Sequence, residues 1–206
     1  PHKGSRLAYA TSDAPTGPFT YRGYIVDNGE DYPAGNNHGS IAQINGQWYV
    51  FYHRMTNNSI MSRRACVEKI TILPDGTIPP VEMTSLGFEE ALNPYAPTPA
   101  EIACVLTGGC FVTEKDVFRR EVTNVTDGCV LGYKYFDFGE DYATNTMEFA
   151  VKISGTGRNG KLHIMLDAPT TEAGGKKIGV VEIGLNDGTY HTRVENITGR
   201  HAVYLR

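Results

Sequence analysis

No stretch of the 206-residue chain keeps an apolar 3.6-residue period through three turns, which excludes long helices and leaves a fold of short strands. Short β-prone runs recur instead, each closed by Gly, Asn, Asp or Pro. Residues 6–10 form one such run and residues 19–26 the next, followed by a polar loop over 27–37. Residues 40–44 and 47–54 flank Asn45-Gly46, a dipeptide that suits a two-residue hairpin because both positions tolerate positive φ. Residues 66–73 and 77–83 flank Pro74-Asp75-Gly76 and predict another hairpin. Four consecutive strands joined by tight turns suit a propeller blade or a meander. The 23 glycines and 11 prolines, about one residue in six against a usual share of about 12%, supply the turns.

The spacing of Pro94, Pro97 and Pro99 breaks this pattern and marks a linker over 89–98. It divides the chain into residues 1–88 and 99–206. In the second part, residues 133–138, 147–153, 161–167, 177–183 and 201–205 read as strands at spacings that suggest a β-sandwich. Gly155-Thr156-Gly157-Arg158-Asn159-Gly160 matches a dinucleotide fingerprint by letter, but an alternating strand follows where a helix is required, so it reads as a hairpin loop. Three N-x-S/T sequons, at Asn57, Asn124 and Asn196, are near chance frequency.

Net charge −4 argues against nucleic acid and anionic membranes as main partners, because both call for a basic face. No apolar run reaches the roughly 18 residues of a membrane helix. Cys66, Cys104, Cys110 and Cys129 fit no metal spacing and are expected as buried free thiols rather than disulfides. Beginning at Pro1 and closing at Leu205-Arg206 inside a strand-like run, the sequence is expected to be a piece of a longer protein.

The densest polar and aromatic constellation is Gly35-Asn36-Asn37-His38-Gly39-Ser40 followed by Gln47-Trp48-Tyr49-Val50-Phe51-Tyr52-His53-Arg54. Along the latter, Trp48, Val50, Tyr52 and Arg54 share one face and Tyr49, Phe51 and His53 the other, as expected for a strand packed on both sides. With Ser62-Arg63-Arg64-Ala65-Cys66-Val67-Glu68 and Pro74-Asp75-Gly76, it resembles the last blade of glycoside hydrolase family 43. Ala8-Tyr9-Ala10-Thr11-Ser12-Asp13 leading to Gly17-Pro18-Phe19 is similar to the blade before it. The arabinoxylan-acting branch, with its arabinofuranosidases and xylosidases, is the nearest. Pro99-Ala100-Glu101, Gly132-Tyr133-Lys134-Tyr135-Phe136-Asp137-Phe138-Gly139, and the 161–167 run with Pro169 and Ile178-Gly179 resemble a family 6 carbohydrate-binding module, the first of these as its opening strand.

The resemblance implies an all-β chain: closing blades of a five-bladed propeller over 1–88, then a jelly-roll sandwich over 99–206, each incomplete. Family 43 enzymes are inverting. A base carboxylate activates water and an acid protonates the leaving oxygen, about 6.5–9.5 Å apart, while a third acid tunes the pair. All three family carboxylates precede the segment matching residues 6–13, so the resemblance places them upstream of Pro1 and none in this chain. Glu30 and Asp31 are expected as loop or rim acids. His38 matches an axial histidine that in many members binds or approaches calcium, often through water. Arg63 matches an arginine that reaches the sugar pocket, with Asn37 and Arg54 as weaker pocket candidates. Glu101 matches a structural calcium ligand. Tyr190, read in the loop after Asn186-Asp187-Gly188-Thr189, stands where the module family carries a tryptophan platform for sugars. No cofactor is expected for the chemistry. Arabinoxylan, xylan or xylo-oligosaccharides are the expected partners, and the parent is expected to be secreted, periplasmic or at a bacterial surface. The alternatives are a fragment that only binds xylan and a β-rich interaction protein without a sugar role.

Overall fold

A computed structural model describes residues 5–29, 31–32, 35–141, 146–155 and 157–206. Glu30 and Thr156 lie outside the described residues. Among the described residues the chain is all-β apart from one 3-10 turn at Ala100–Ile102.

In the first part β1 (Arg6–Thr11) pairs antiparallel with β2 (Thr20–Asp27). β3 (Ser40–Ile44), β4 (Gln47–Thr56) and β5 (Ser59–Ile70) form an antiparallel three-stranded sheet. Asn45 and Gly46 take φ of 50° and 83° and close the β3–β4 hairpin with Ile44 facing Gln47. Asn57 and Asn58, at φ 53° and 47°, make the same kind of two-residue turn between β4 and β5. That turn was not expected, and it starts β5 seven residues before Cys66.

The strand expected over 77–83 is not formed. The turn before it exists, with Leu73 N–H donating to Thr77 O (2.8 Å) and the Asp75 carboxylate accepting from Thr77 N–H (3.0 Å). Pro79 and Pro80 then supply no N–H for a ladder, and the segment makes a single backbone contact with β2, Val81 N–H to Ile25 O at 2.8 Å.

The second part is a sandwich. β6 (Val105–Thr107), β9 (Val130–Asp137), β11 (Gly160–Leu166), β12 (Lys176–Ile183) and β14 (Arg200–Leu205) form a sheet in the order β12-β11-β14-β9-β6. β10 (Met147–Ile153) pairs with β13 (Gly188–Val194), and their inward Met147, Phe149, Val151, Tyr190 and Val194 pack on the core. β7 (Phe111–Glu114) and β8 (Arg120–Thr123) form a separate hairpin. β10 and β11 belong to different sheets, so the connection between them is not the hairpin loop expected from the sequence. Nor is 99–101 an opening strand. Ile102 and Ala103 donate back to Pro99 O and Ala100 O (3.2 and 3.3 Å), which coils it into the 3-10 turn.

One apolar core joins both parts, running from Ile25, Val26, Val50 and Tyr52 to Leu106, Tyr133, Ile164 and Val203. The 89–98 segment lies on β9 at the edge away from β14. Leu92 N–H donates to Tyr135 O (2.8 Å), and Asp137 N–H donates to Leu92 O (3.0 Å). All four cysteines are free thiols, three of them buried.

Candidate functional site

The site is set by the alternation of β4. His53 faces Ala65 and Met55 faces Arg63 across the β4–β5 ladder, so His53 and Arg63 share one side of the sheet. The 35–39 stretch is pressed against the same strand. A Cβ on Gly35 would stand 2.4 Å from the Met55 side chain, and one on Gly39 would stand 2.0 Å from Phe51 O. At Gly39, where the obstacle is backbone, only glycine allows this approach, which holds Asn36, Asn37 and His38 beside β4.

There the His38 ring meets His53 edge-on, with centroids 4.5 Å apart. The His53 ring nitrogens lie 2.9 Å from Asn36 Oδ1 and 3.3 Å from His38 O, and Arg63 is close enough to act on its charge. Burial is the largest influence on His53 and holds its pKa below the ordinary 6.5, opposed by the hydrogen bond to the His38 carbonyl. A folded-state value below the unfolded one means that the folded chain binds fewer protons. The stabilisation is complete above pH 6.5 and falls as pH drops through the folded value. We expect the His53 Hε1 resonance to titrate below 6.5 and stability to decline over the same interval; a His53 midpoint above 6.5 would contradict the geometry.

Among the sequence candidates, the structure groups His38 with Arg63 through His53. Arg63 is exposed, and its Nε donates to Ile60 O (3.2 Å). Asn37 is half-buried, its Nδ2 donating to Asn28 Oδ1 (3.1 Å) while its own Oδ1 is buried without a partner. Arg54 does not join them. It points through the other face of β4 and is 2% exposed, donating to Tyr52 OH (2.7 Å), Thr84 O (2.9 Å) and Ala103 O (3.4 Å) beside Glu68 (3.5 Å). A guanidinium enclosed in this way ties segments together and does not meet a sugar.

Tyr190 is on β13 and not in the preceding loop, because Gly188 and Thr189 already pair with Ile153 and Lys152. Its ring is half-buried against the core and its hydroxyl donates to Asn186 O. Glu101 sits in the 3-10 turn, half-buried, next to the Ala100 carbonyl that accepts from Tyr133 OH (3.0 Å). Calcium needs six to eight oxygens. Among the described residues no three His, Cys, Asp or Glu side chains converge around His38 or Glu101.

His53 and Asn36 were missed as site residues. The signal was available in the strand alternation, which places His53, and not Arg54, on the side of Arg63.

No family model matches the chain. The xylosidase/arabinosidase of Thermoclostridium stercorarium is 41% identical over 165 residues, covering 64% of this chain and 35% of that protein. The arabinoxylan arabinofuranohydrolase of Bacillus subtilis (strain 168) is 30% identical over 220 residues, covering 97% of this chain and 41% of that protein. A crystal structure of a glycoside hydrolase family 43 arabinoxylan arabinofuranohydrolase from Bacillus subtilis, in complex with cellotetraose, aligns over 97% of this chain and 43% of that chain with a TM-score of 0.55 at 27% identity. The chain spans about two-fifths of the length of these relatives, between 35% and 43%. Along nearly all of its residues the chain is similar, in sequence and in fold, to arabinoxylan arabinofuranohydrolases of glycoside hydrolase family 43.

Proposed function

We propose that these residues serve an inverting hydrolase of hemicellulose, an arabinoxylan α-L-arabinofuranosidase or β-xylosidase, by supplying one wall of its pocket and an attached sugar-binding sandwich. The observation that carries this reading is the match to an arabinoxylan arabinofuranohydrolase along 97% of the chain. The grouping of His38, His53 and Arg63 at one blade end supports it. Arg63 contributes a fixed, exposed cation that can hydrogen-bond sugar hydroxyls and hold a neighbouring carboxylate ionised. His53, kept neutral by burial, fixes the loop that presents His38. In this reading residues 1–88 are closing propeller blades, 99–206 a module like those of family 6, and the general acid and base come from chain that these residues do not include.

The purified 206-residue chain is therefore expected to hydrolyse neither p-nitrophenyl arabinofuranoside nor p-nitrophenyl xyloside. A longer chain carrying the preceding blades is expected to turn over at least one of them. Turnover by the 206 residues alone would overturn the placement of the acid and base. Silence of a folded longer chain on both substrates would overturn the activity.

A further inference from the structure

Two buried thiols take no part in the sugar chemistry. Cys110 and Cys129 are 1% and 3% exposed and flank the β7–β8 hairpin. They converge on one rung of the sheet, where Thr107 of β6 faces Val130 of β9. The Cys110 Sγ lies 3.2 Å from Thr107 O and 4.0 Å from Val130 O, and the Cys129 Sγ lies 3.4 Å from Gly108 O. The two thiols are close enough for Cys129 to act on the charge of Cys110. Gly108 makes this closeness possible: a Cβ there would stand 2.7 Å from the Cys129 Cα. We propose that Cys110 and Cys129 form a disulfide when the chain folds with a low-molecular-weight disulfide present, and that this bridge pins the β7–β8 hairpin to the sheet.

Balance is simple. One cysteine thiolate attacks a sulfur of the external disulfide and expels one thiolate. The second cysteine thiolate attacks the mixed disulfide and expels the other, and the two cysteine protons end on the two released thiols. Burial, and then the neighbouring Cys129, push the Cys110 thiol up to about 12, so the folded dithiol exchanges slowly and the bridge is made during folding. The consequence reaches the site half. Asn57 N–H donates to Val112 O (2.7 Å), Glu114 N–H donates to Asn57 Oδ1 (2.7 Å) and Thr56 Oγ1 donates to Glu114 Oε1 (3.1 Å), so the pinned hairpin holds the β4–β5 turn.

The test is refolding of the reduced, denatured 206-residue chain in a glutathione redox buffer, followed by alkylation under denaturing conditions and intact mass. We expect a loss of about 2 Da, a Cys110–Cys129 cross-link in the peptide map, and alkylation confined to Cys66 and Cys104. The bridged form should melt roughly 5–10 °C above the reduced form. Cys66→Ser should keep the bridge and Cys110→Ser should abolish it. Four alkylatable thiols in the folded wild-type product, or a cross-link to Cys66 or Cys104, would overturn the proposal, whatever the behaviour of the variants.

Discussion

Arg54→Ala is expected to destabilise the chain by about 3–5 kcal/mol, the cost of leaving a buried charge without its partner. Glu68, also buried, accepts from Tyr52 OH (2.9 Å), Thr84 N–H (2.8 Å) and Thr84 Oγ1 (2.7 Å), and Arg54 is the cation beside it. Removing the guanidinium keeps those donors but leaves the carboxylate charge uncompensated, and frees the carbonyl of Thr84. Arg54→Lys should recover little, because an ammonium cannot reach three segments in one plane. The double change Arg54→Met with Glu68→Gln should cost less than Arg54→Ala, since it buries no lone charge. Arg64 Nη2 also donates to Ala103 O (3.0 Å), so β4 and β5 both hold the segment that opens the second part. Urea unfolding read by tryptophan fluorescence and circular dichroism checks this. A loss under about 1 kcal/mol for Arg54→Ala would show that the network is not needed.

The same residue shows what could be read from the sequence. The β4 alternation and the Asn45-Gly46 turn were legible because they depend on local rules, period-two side chains and positive φ. Placing Arg54 in the pocket contradicted that alternation, since a residue on the Tyr52 face cannot share a side with His53 and Arg63. Likewise β13 was hidden because its alternating Thr189-Tyr190-His191-Thr192 follows a turn and carries little apolar signal. Its pairing with β10 is long-range and leaves no local trace. The common core of the two parts was out of reach for the same reason: a proline-rich stretch looks like a tether whether or not a residue such as Leu92 is hydrogen-bonded to a sheet.

Gly39→Ala is expected to disturb the site most directly. Its φ is not in the left-handed region, so the backbone accepts alanine without conformational strain. The difficulty is space: the new Cβ would stand 2.0 Å from Phe51 O and 3.1 Å from Phe51 C, and the first of these is a fixed ladder atom facing Ser40. A flexible side chain could swing away, but the carbonyl of a central strand cannot move without breaking its pairing. Either the 35–39 stretch lifts from β4 or the β3–β4 rung opens, at about 3 kcal/mol in either case. Lifting would separate His38 from His53, and His53 would gain water. Its pKa should then rise toward 6.5, because burial is what lowers it. Gly46→Ala, at a turn with nothing within 4 Å of the new Cβ but with φ of 83°, serves as the comparison: it should lower stability without moving the His53 titration. A Gly39→Ala chain with unchanged stability and an unchanged His53 midpoint would mean that the loop does not depend on this contact.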